Sequence, residues 1–418
     1  MVAAAPRTAA GTWNERLLAS LPHPSGLMAP VQERGRAGLG SMSVPGRAEE
    51  SWRFTSLDGL TALDPAHLRL GSTPSRPFPA PPQGAFRLVL DGRQDPLAEV
   101  PLPKGLSRIE LPELHQRLGQ TLEANGCRQH WPVLLNKAAA SQVVALRVRG
   151  PVAPVLELVS DAGEQGVLLP LRILLVLEEE ASLSLLQVHR SAGANLTSVV
   201  VEACLGAGAR LHHGLLGFGH PAASLMANIA VCQDRGSDLT LASALAGWGL
   251  VRCEPRVQQL HGSARTVLRG LQLVRGREVA DTHSLVAFRG PEGSLDQLHK
   301  AVADGAGRSV FNGAVQVPRE AQRTDAAQLS RSLLLSERAR VDTKPELEIV
   351  ADDVRCAHGA TVSRLQEDQL FYLQSRGISA AAAAALLLRA YCEEILCDLP
   401  HATHWQPLNT LLGDPSDR

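Results

Sequence analysis

The residues whose types and spacing could do chemistry are concentrated in the segment DDVRCAHGATV, positions 352–362, which follows the strand-like LEIVA. Side chains of an extended chain alternate between faces, so Asp352, Val354, Cys356 and His358 are expected on one side. That sets a thiol and an imidazole two strand rises apart, about 6.6 Å between α-carbons. Such a pair can converge on one borderline metal ion or flank the edge of a metal cluster, but two ligands do not complete a site, and another chain would have to supply the rest. Read alone, a small buried thiol beside a hydrogen-bonded structural histidine is the favoured account of both residues.

The other histidines and cysteines carry less. His212 and His213 are adjacent, so in a strand they face opposite sides and cannot share a pocket. His401 and His404 follow Pro400 and read as part of a loose, solvated tail. His283 shares a strand face with Asp281, which could orient or charge it. Cys127, Cys204, Cys232 and Cys253 stand singly in the sequence and read as buried inert thiols. No phosphate-binding G-x-x-x-x-G-K-[ST], no G-x-G-x-x-G, no G-x-S-x-G, no H-E-x-x-H and no C-x-x-C occurs, so the common nucleotide, hydrolase, zincin and dithiol chemistries have no motif to rest on.

Composition narrows the class further. The 41 basic residues nearly balance 42 acidic ones, so no net field favours nucleic acid or an anionic membrane as partner. Seven cysteines spread through 418 residues are unlike a secreted disulfide framework and fit a reducing compartment. With no apolar run of membrane-spanning length the chain reads as soluble and cytoplasmic. The Ala-rich opening MVAAAPRTAAGTW, with an Arg and no early acid, also leaves a plastid address open.

The elements that must position these residues follow from periodicity. Trp13, Leu17, Leu18 and Leu21 recur at helical spacing before Pro22 and Pro24, and Leu114, Leu118 and Leu122 predict one helix over 111–126 closed by Gly126. Residues 72–82, STPSRPFPAPP, can be neither a central strand nor a long helix and read as a linker. From about Gln142, short Val, Leu and Ile runs separated by Gly, Asp and Pro continue for some 200 residues without an intervening amphipathic helix, which favours a β-solenoid although no strict period is visible. The strands expected include Val143 to Val148, Leu171 to Leu177, Ser198 to Cys204 and Val310 to Val317. Beyond Val362 the pattern turns helical: one segment ends at Gly377, and a second, capped by Ser379, runs over 380–396. These helices could cap the last coil or dock a partner, and spacing alone does not choose.

At this point the residues carry a resemblance. RTDAAQLSRSLLLSERARVDTKPELEIVADDVRCAHGATVSRLQEDQLFYLQSRGIS closely resembles the SufD family of the SUF iron–sulfur cluster assembly scaffold, with weaker blocks at VFNGAVQV (310–317), SLDQLHK ending at Lys300 and EESWRFTSL (49–57). Gly359 and Ala360 after His358, with Cys356 before it, favour SufD over the sister SufB, whose histidine is typically followed by Glu-Ala. The chain departs from the family at Phe288, where a second histidine is usual, and this weakens any metal role for His283. The resemblance implies a mainly β fold, a right-handed parallel β-helix over 138–362, between a mixed helical region over 1–137 and a helical region over 363–418.

It further implies a non-catalytic scaffold that pairs with SufB through the β-helix and docks the ATPase SufC through its C-terminal helices, with a SufD homodimer possible in isolation. His358, with Cys356 second, is then the candidate for iron or a transient iron–sulfur cluster shared with SufB. Phe371, Tyr372, Arg376 and Gly377 are the candidate docking residues, and a reduced flavin belongs to the complex without an identified site here. A β-helix enzyme acting on sugars or acyl groups, or a plain structural scaffold, are the rival readings.

Overall fold

The structure, a computed structural model, describes residues 11–163 and 165–412. Its centre is a parallel β-solenoid of about 8 turns. Each turn contributes one strand to each of two sheets, so consecutive strands alternate between them. One sheet runs from Val144–Val148 through Leu196–Leu205, Ser224–Gln233 and Leu250–Gln259 to Arg340–Ile349; the other from Val155–Asp161 through Arg210–Phe218, Asp238–Ala246 and Arg265–Val274 to Arg355–Ser363. All pairs in the body are parallel; the short Leu106–Arg108 is antiparallel to Val144–Val148. The strands expected from the Val, Leu and Ile runs are present, most extended by one to a few residues.

The repeat length explains why no strict period shows in the sequence. In-register partners are separated by as few as 26 residues, as in Ser224 to Leu250, and as many as 32, as in Arg308 to Arg340. Turn length varies while strand length is held, so the side-chain columns stay aligned although the numbering drifts. One face of each strand fills the inside with Leu, Val, Ile and Ala, as in Val199, Val201, Leu225, Ile229 and Val251. Small branched side chains fit this flattened interior, and among the described aromatics only Trp248, Phe288 and Phe311 are fully buried in it.

The outer faces are covered, and buried charges pin the coverings. On the first sheet Arg172 and Glu202 are ion-paired with both side chains 0% exposed. Glu202 also accepts the backbone N–H groups of Gly119 at 2.9 Å and Leu122 at 3.3 Å. The single helix expected over 111–126 is therefore two, Glu113–Arg117 and Gln120–Ala124. Gly119 between them adopts φ +93°, a left-handed conformation that breaks the helix and turns its N–H onto the carboxylate. Further along, Arg252 bridges Glu254 and Asp281, lies 4.3 Å from the Trp52 ring, and donates to the Ser51 carbonyl at 2.8 Å. The block EESWRFTSL is thereby seated on the sheet, with Thr55 bonded to Asp281.

On the second sheet, helix Ala380–Leu396 lies along the outer face through Leu388, Cys392 and Ile395. Lys300, 2% exposed, donates to the Tyr391 carbonyl at 2.8 Å and pairs with Glu394. The family block ending at Lys300 thus anchors the C-terminal helix. Residues 401–412 of the tail are not loose, and the rest of it lies outside the described residues. Trp405 is buried and donates to Glu157 at 3.0 Å, and His404 Nε2 sits 2.6 Å from the same carboxylate. The expected solvated tail fails because Glu157, buried on the outer face, needs partners that the remote tail and Arg87 supply. The Pro-rich stretch also joins this layer, Phe78 packing edge-on against Trp405.

Candidate functional site

Arg355–Ser363 is the last strand of its sheet, and Arg340–Ile349 the last of the other. Each is paired on one side alone, to Asp325–Leu334 and Arg308–Val317 respectively. The C-terminal helices leave this end uncovered. Helix Ala380–Leu396 runs along the sheet at Asp238–Ala246 and Arg265–Val274, so the capping role that spacing allowed for it is not the one it plays. The terminal coil consequently exposes apolar residues, Ile349 at 39%, Val350 at 59% and Val362 at 48%.

Cys356 and His358 lie in this coil. The strand begins at Arg355, so Asp352 belongs to the preceding bend and the alternation starts only afterwards. Cys356 pairs in register with Ala326, an interior residue, and packs against the solenoid core, half-buried. His358, two residues on and hence on the same interior face, is exposed because no further coil lies above it. Burial pushes the Cys356 thiol up from its ordinary value, which favours the protonated thiol. Among the described residues no group of three or more His, Cys, Asp and Glu side chains is arranged to hold a metal ion.

The floor beneath the pair is polar. His358 registers with Gln328, and Gln328 with Gln297. Gln328 donates to Gln297 at 2.9 Å, which donates to Ser284 at 2.7 Å. Gln328 Oε1 is buried and has no partner. One coil deeper, His299 stacks on Phe311 with ring centroids 4.4 Å apart, and neither ring nitrogen is bonded. Sequence reasoning missed this column. Its signal was present at Gln297 and Gln328, whose counterparts in earlier coils are Leu268, Leu241, His213 and Leu185.

The remaining candidates are placed as follows. His213 is interior and His212 is exterior, bonded to the Asp398 carbonyl at 2.6 Å, so the two do face opposite sides. His283 Nε2 is 3.1 Å from Asp281, inside the charge network that holds residues 50–57, and Phe288 is 0% exposed in the core. Cys127, Cys232 and Cys253 are buried with thiols pushed up to about 12 by desolvation. Cys204 and Cys232, distant in sequence, are in-register neighbours. Phe371 and Tyr372 in helix Glu367–Ser375 are 73% and 59% exposed, Arg376 lies 5.4 Å from the Tyr372 ring, and Gly377 ends the helix. Leu386, 50% exposed on the following helix, adds to this apolar surface and was not anticipated.

Comparison with known proteins bears directly on this end of the molecule. The family model for the SUF system FeS cluster assembly SufBD core domain matches residues 159–391, which spans most of the solenoid, the terminal coil, helix Glu367–Ser375 and most of helix Ala380–Leu396. The chain belongs to the SufBD family. An iron–sulfur cluster assembly SufBD family protein of Synechocystis sp. is 32% identical over 395 residues, covering 87% of this chain and 86% of that protein. The iron–sulfur cluster assembly protein SufD of Escherichia coli is 29% identical over 376 residues with the same coverages, 87% and 86%. Protein ABCI7, chloroplastic, of Arabidopsis thaliana is 39% identical over 206 residues, 49% of this chain and 43% of that one. Within the SufBD family the chain is SufD-like, and as a family member it is a scaffold subunit of iron–sulfur cluster assembly. No described helix is long and apolar enough to cross a membrane.

Proposed function

We propose that this chain pairs with a SufB subunit at the open end of its solenoid, and that His358 and Cys356 contribute there to a composite site for iron or a nascent iron–sulfur cluster. The supporting observation is the uncovered terminal coil, where two free strand edges, exposed apolar residues and a thiol–imidazole pair coincide. Free edges of this kind are templates for strand addition by another chain. The pair presents two donors of types that bind iron and clusters, so a partner would supply the others.

The second half of the proposal is that SufC, as the ATPase, docks on the surface formed by Phe371, Tyr372, Arg376, Gly377 and Leu386. Apart from Ile349, Val350 and Val362 on the terminal coil, the other large exposed hydrophobics, Met42, Val89 and Leu111, stand singly among the described residues, whereas here two aromatics and a leucine are contributed by successive helices. Movement of SufC through its ATP cycle would then act on the helices that Lys300 fastens to the sheet. A reduced flavin, if the complex uses one, has no site assigned by this reading.

Copurification separates the two contacts. Val350→Asp with Val362→Asp is expected to abolish pairing with SufB and leave SufC binding intact; Phe371→Glu with Tyr372→Glu is expected to do the reverse, weakening SufC by about 100-fold. All four positions are exposed, so melting temperatures should not change. Deleting residues 366–396 is a poorer test, because it would uncover the apolar outer sheet that Leu388, Cys392 and Ile395 protect. Wild-type pairing by both double variants would refute the assignment.

A further inference from the structure

We propose that a groove beside the N-terminal helices binds a phosphate-bearing small molecule of mononucleotide size, a site separate from the solenoid end and independent of the pairing proposed above. Two cavities of about 460 and 310 Å³ adjoin there and share Arg69 and Arg93 in their linings. Small-molecule sites run from ~300 to ~1,000 Å³, so the pair has room for a ring and a sugar in one lobe and phosphate where the lobes meet. The larger lobe supplies apolar contact from Leu21, Leu68, Leu70 and Ala138, with Arg36 and His23 at its edge.

Charge is what singles the groove out. The chain as a whole is nearly neutral, 41 basic against 42 acidic residues, yet among the described lining residues of both lobes there are three arginines and no aspartate or glutamate. The three guanidinium groups differ in what holds them. Arg36 spends its terminal nitrogens on the Leu18 and Pro22 carbonyls and is structural. Arg93 donates Nε to the Leu70 carbonyl at 2.5 Å, which fixes its stem and leaves both terminal nitrogens available. No partner of the Arg69 guanidinium is found among the described residues, and the residue is exposed.

The backbone beneath these two arginines is tied together rather than loose. Arg69 registers with Val167, the Gly71 N–H donates to the Leu168 carbonyl at 3.0 Å, and the Ser72 N–H donates to the Asp91 carbonyl at 3.0 Å. Segments 69–73 and 91–93 thus converge at fixed spacing with residues 162–163 and 165–167, and Arg69 and Arg93 face the shared part of the groove from the first two. Free planar forks on a rigid base suit the tetrahedral oxygens of a phosphate. The apolar lobe argues for a ring-bearing phosphate over free phosphate.

Isothermal titration calorimetry of the full chain with ADP, adenosine and inorganic phosphate tests the site. ADP is expected to bind in the micromolar range, adenosine about 100-fold more weakly, and inorganic phosphate to compete with ADP. Arg69→Gln should keep the wild-type melting temperature, since its head group holds nothing else, and weaken ADP about tenfold; adding Arg93→Gln should weaken it about tenfold again. Absence of any phosphate compound binding below about 1 mM, or unchanged ADP affinity in Arg69→Gln, would overturn the proposal. Tight phosphate binding without ADP binding would overturn the mononucleotide part of it.

Discussion

Stability of the solenoid is expected to fall steeply as pH drops from about 6.5 to 4.5, before most carboxylates begin to titrate. The cause lies in three interior imidazoles. His189, His213 and His299 are each fully desolvated, and burial pushes their pKa values down to about 4, about 3 and about 3. In the unfolded chain each takes a proton near pH 6.5. Below that pH the unfolded state binds protons that the folded state refuses, so stability rises with pH across this window and is lost as pH falls through it. Each imidazole contributes at most about 1.4 kcal/mol per pH unit, so three together can remove several kcal/mol over two units, comparable to the whole stability of a domain. Urea melts at pH 7.5, 6 and 5 read this directly. His213→Leu should flatten the dependence, because both His213 nitrogens are unbonded and its register neighbours Leu185 and Leu241 already define an apolar column. Equal stability at pH 7.5 and 5 would contradict the interior placement of these rings.

Glu202→Ala is expected to cost about 3–5 kcal/mol, the usual penalty for breaking a fully buried ion pair. The variant strands the Arg172 guanidinium, two of whose nitrogens already have no partner, in a site with no access to water. It also releases the Gly119 and Leu122 N–H groups, so hydrogen exchange should quicken across residues 113–124 before the strands are affected. The paired replacement Arg172→Met with Glu202→Leu should recover most of the loss, since removing both charges leaves nothing unpaired. A loss under about 1 kcal/mol for Glu202→Ala would mean that water reaches the pair. The charge network around Asp281 has the same pH sense as the imidazoles but acts in a lower range. Chiefly through the nearby Arg252 and against desolvation, its carboxyl is held below the usual value. Its contribution is therefore complete above about pH 4 and disappears only as pH falls further.

Much of the architecture was legible because strands and caps are local. Alternating Val and Leu between glycine turns marks a strand wherever it stands, and Ser379 caps its helix by bonding the Ala382 N–H at 3.3 Å. What sequence could not convey was contact between distant positions. Trp405 and Glu157 are 248 residues apart, and nothing near either one announces the other, so the tail read as solvated. The break at Gly119 was hidden for the same reason, its cause being a carboxylate 83 residues away. At the candidate site the C-x-H spacing gave the shared face of Cys356 and His358. It could not reveal that no coil follows, and that single topological fact turns a core-facing histidine into an exposed one.

The most direct measurement is the iron and acid-labile sulfide content of the proposed complex of this chain with SufB and SufC, prepared anaerobically with wild-type protein, His358→Ala and Cys356→Ser. Assembly should survive both substitutions, because no bond of the His358 side chain is found among the described residues and serine can keep the contact of Cys356 to the Ala326 backbone. Iron and sulfide should fall at least several-fold with His358→Ala, and less with Cys356→Ser. Full loading of an intact complex that lacks both side chains would contradict a site built in part from this terminal coil.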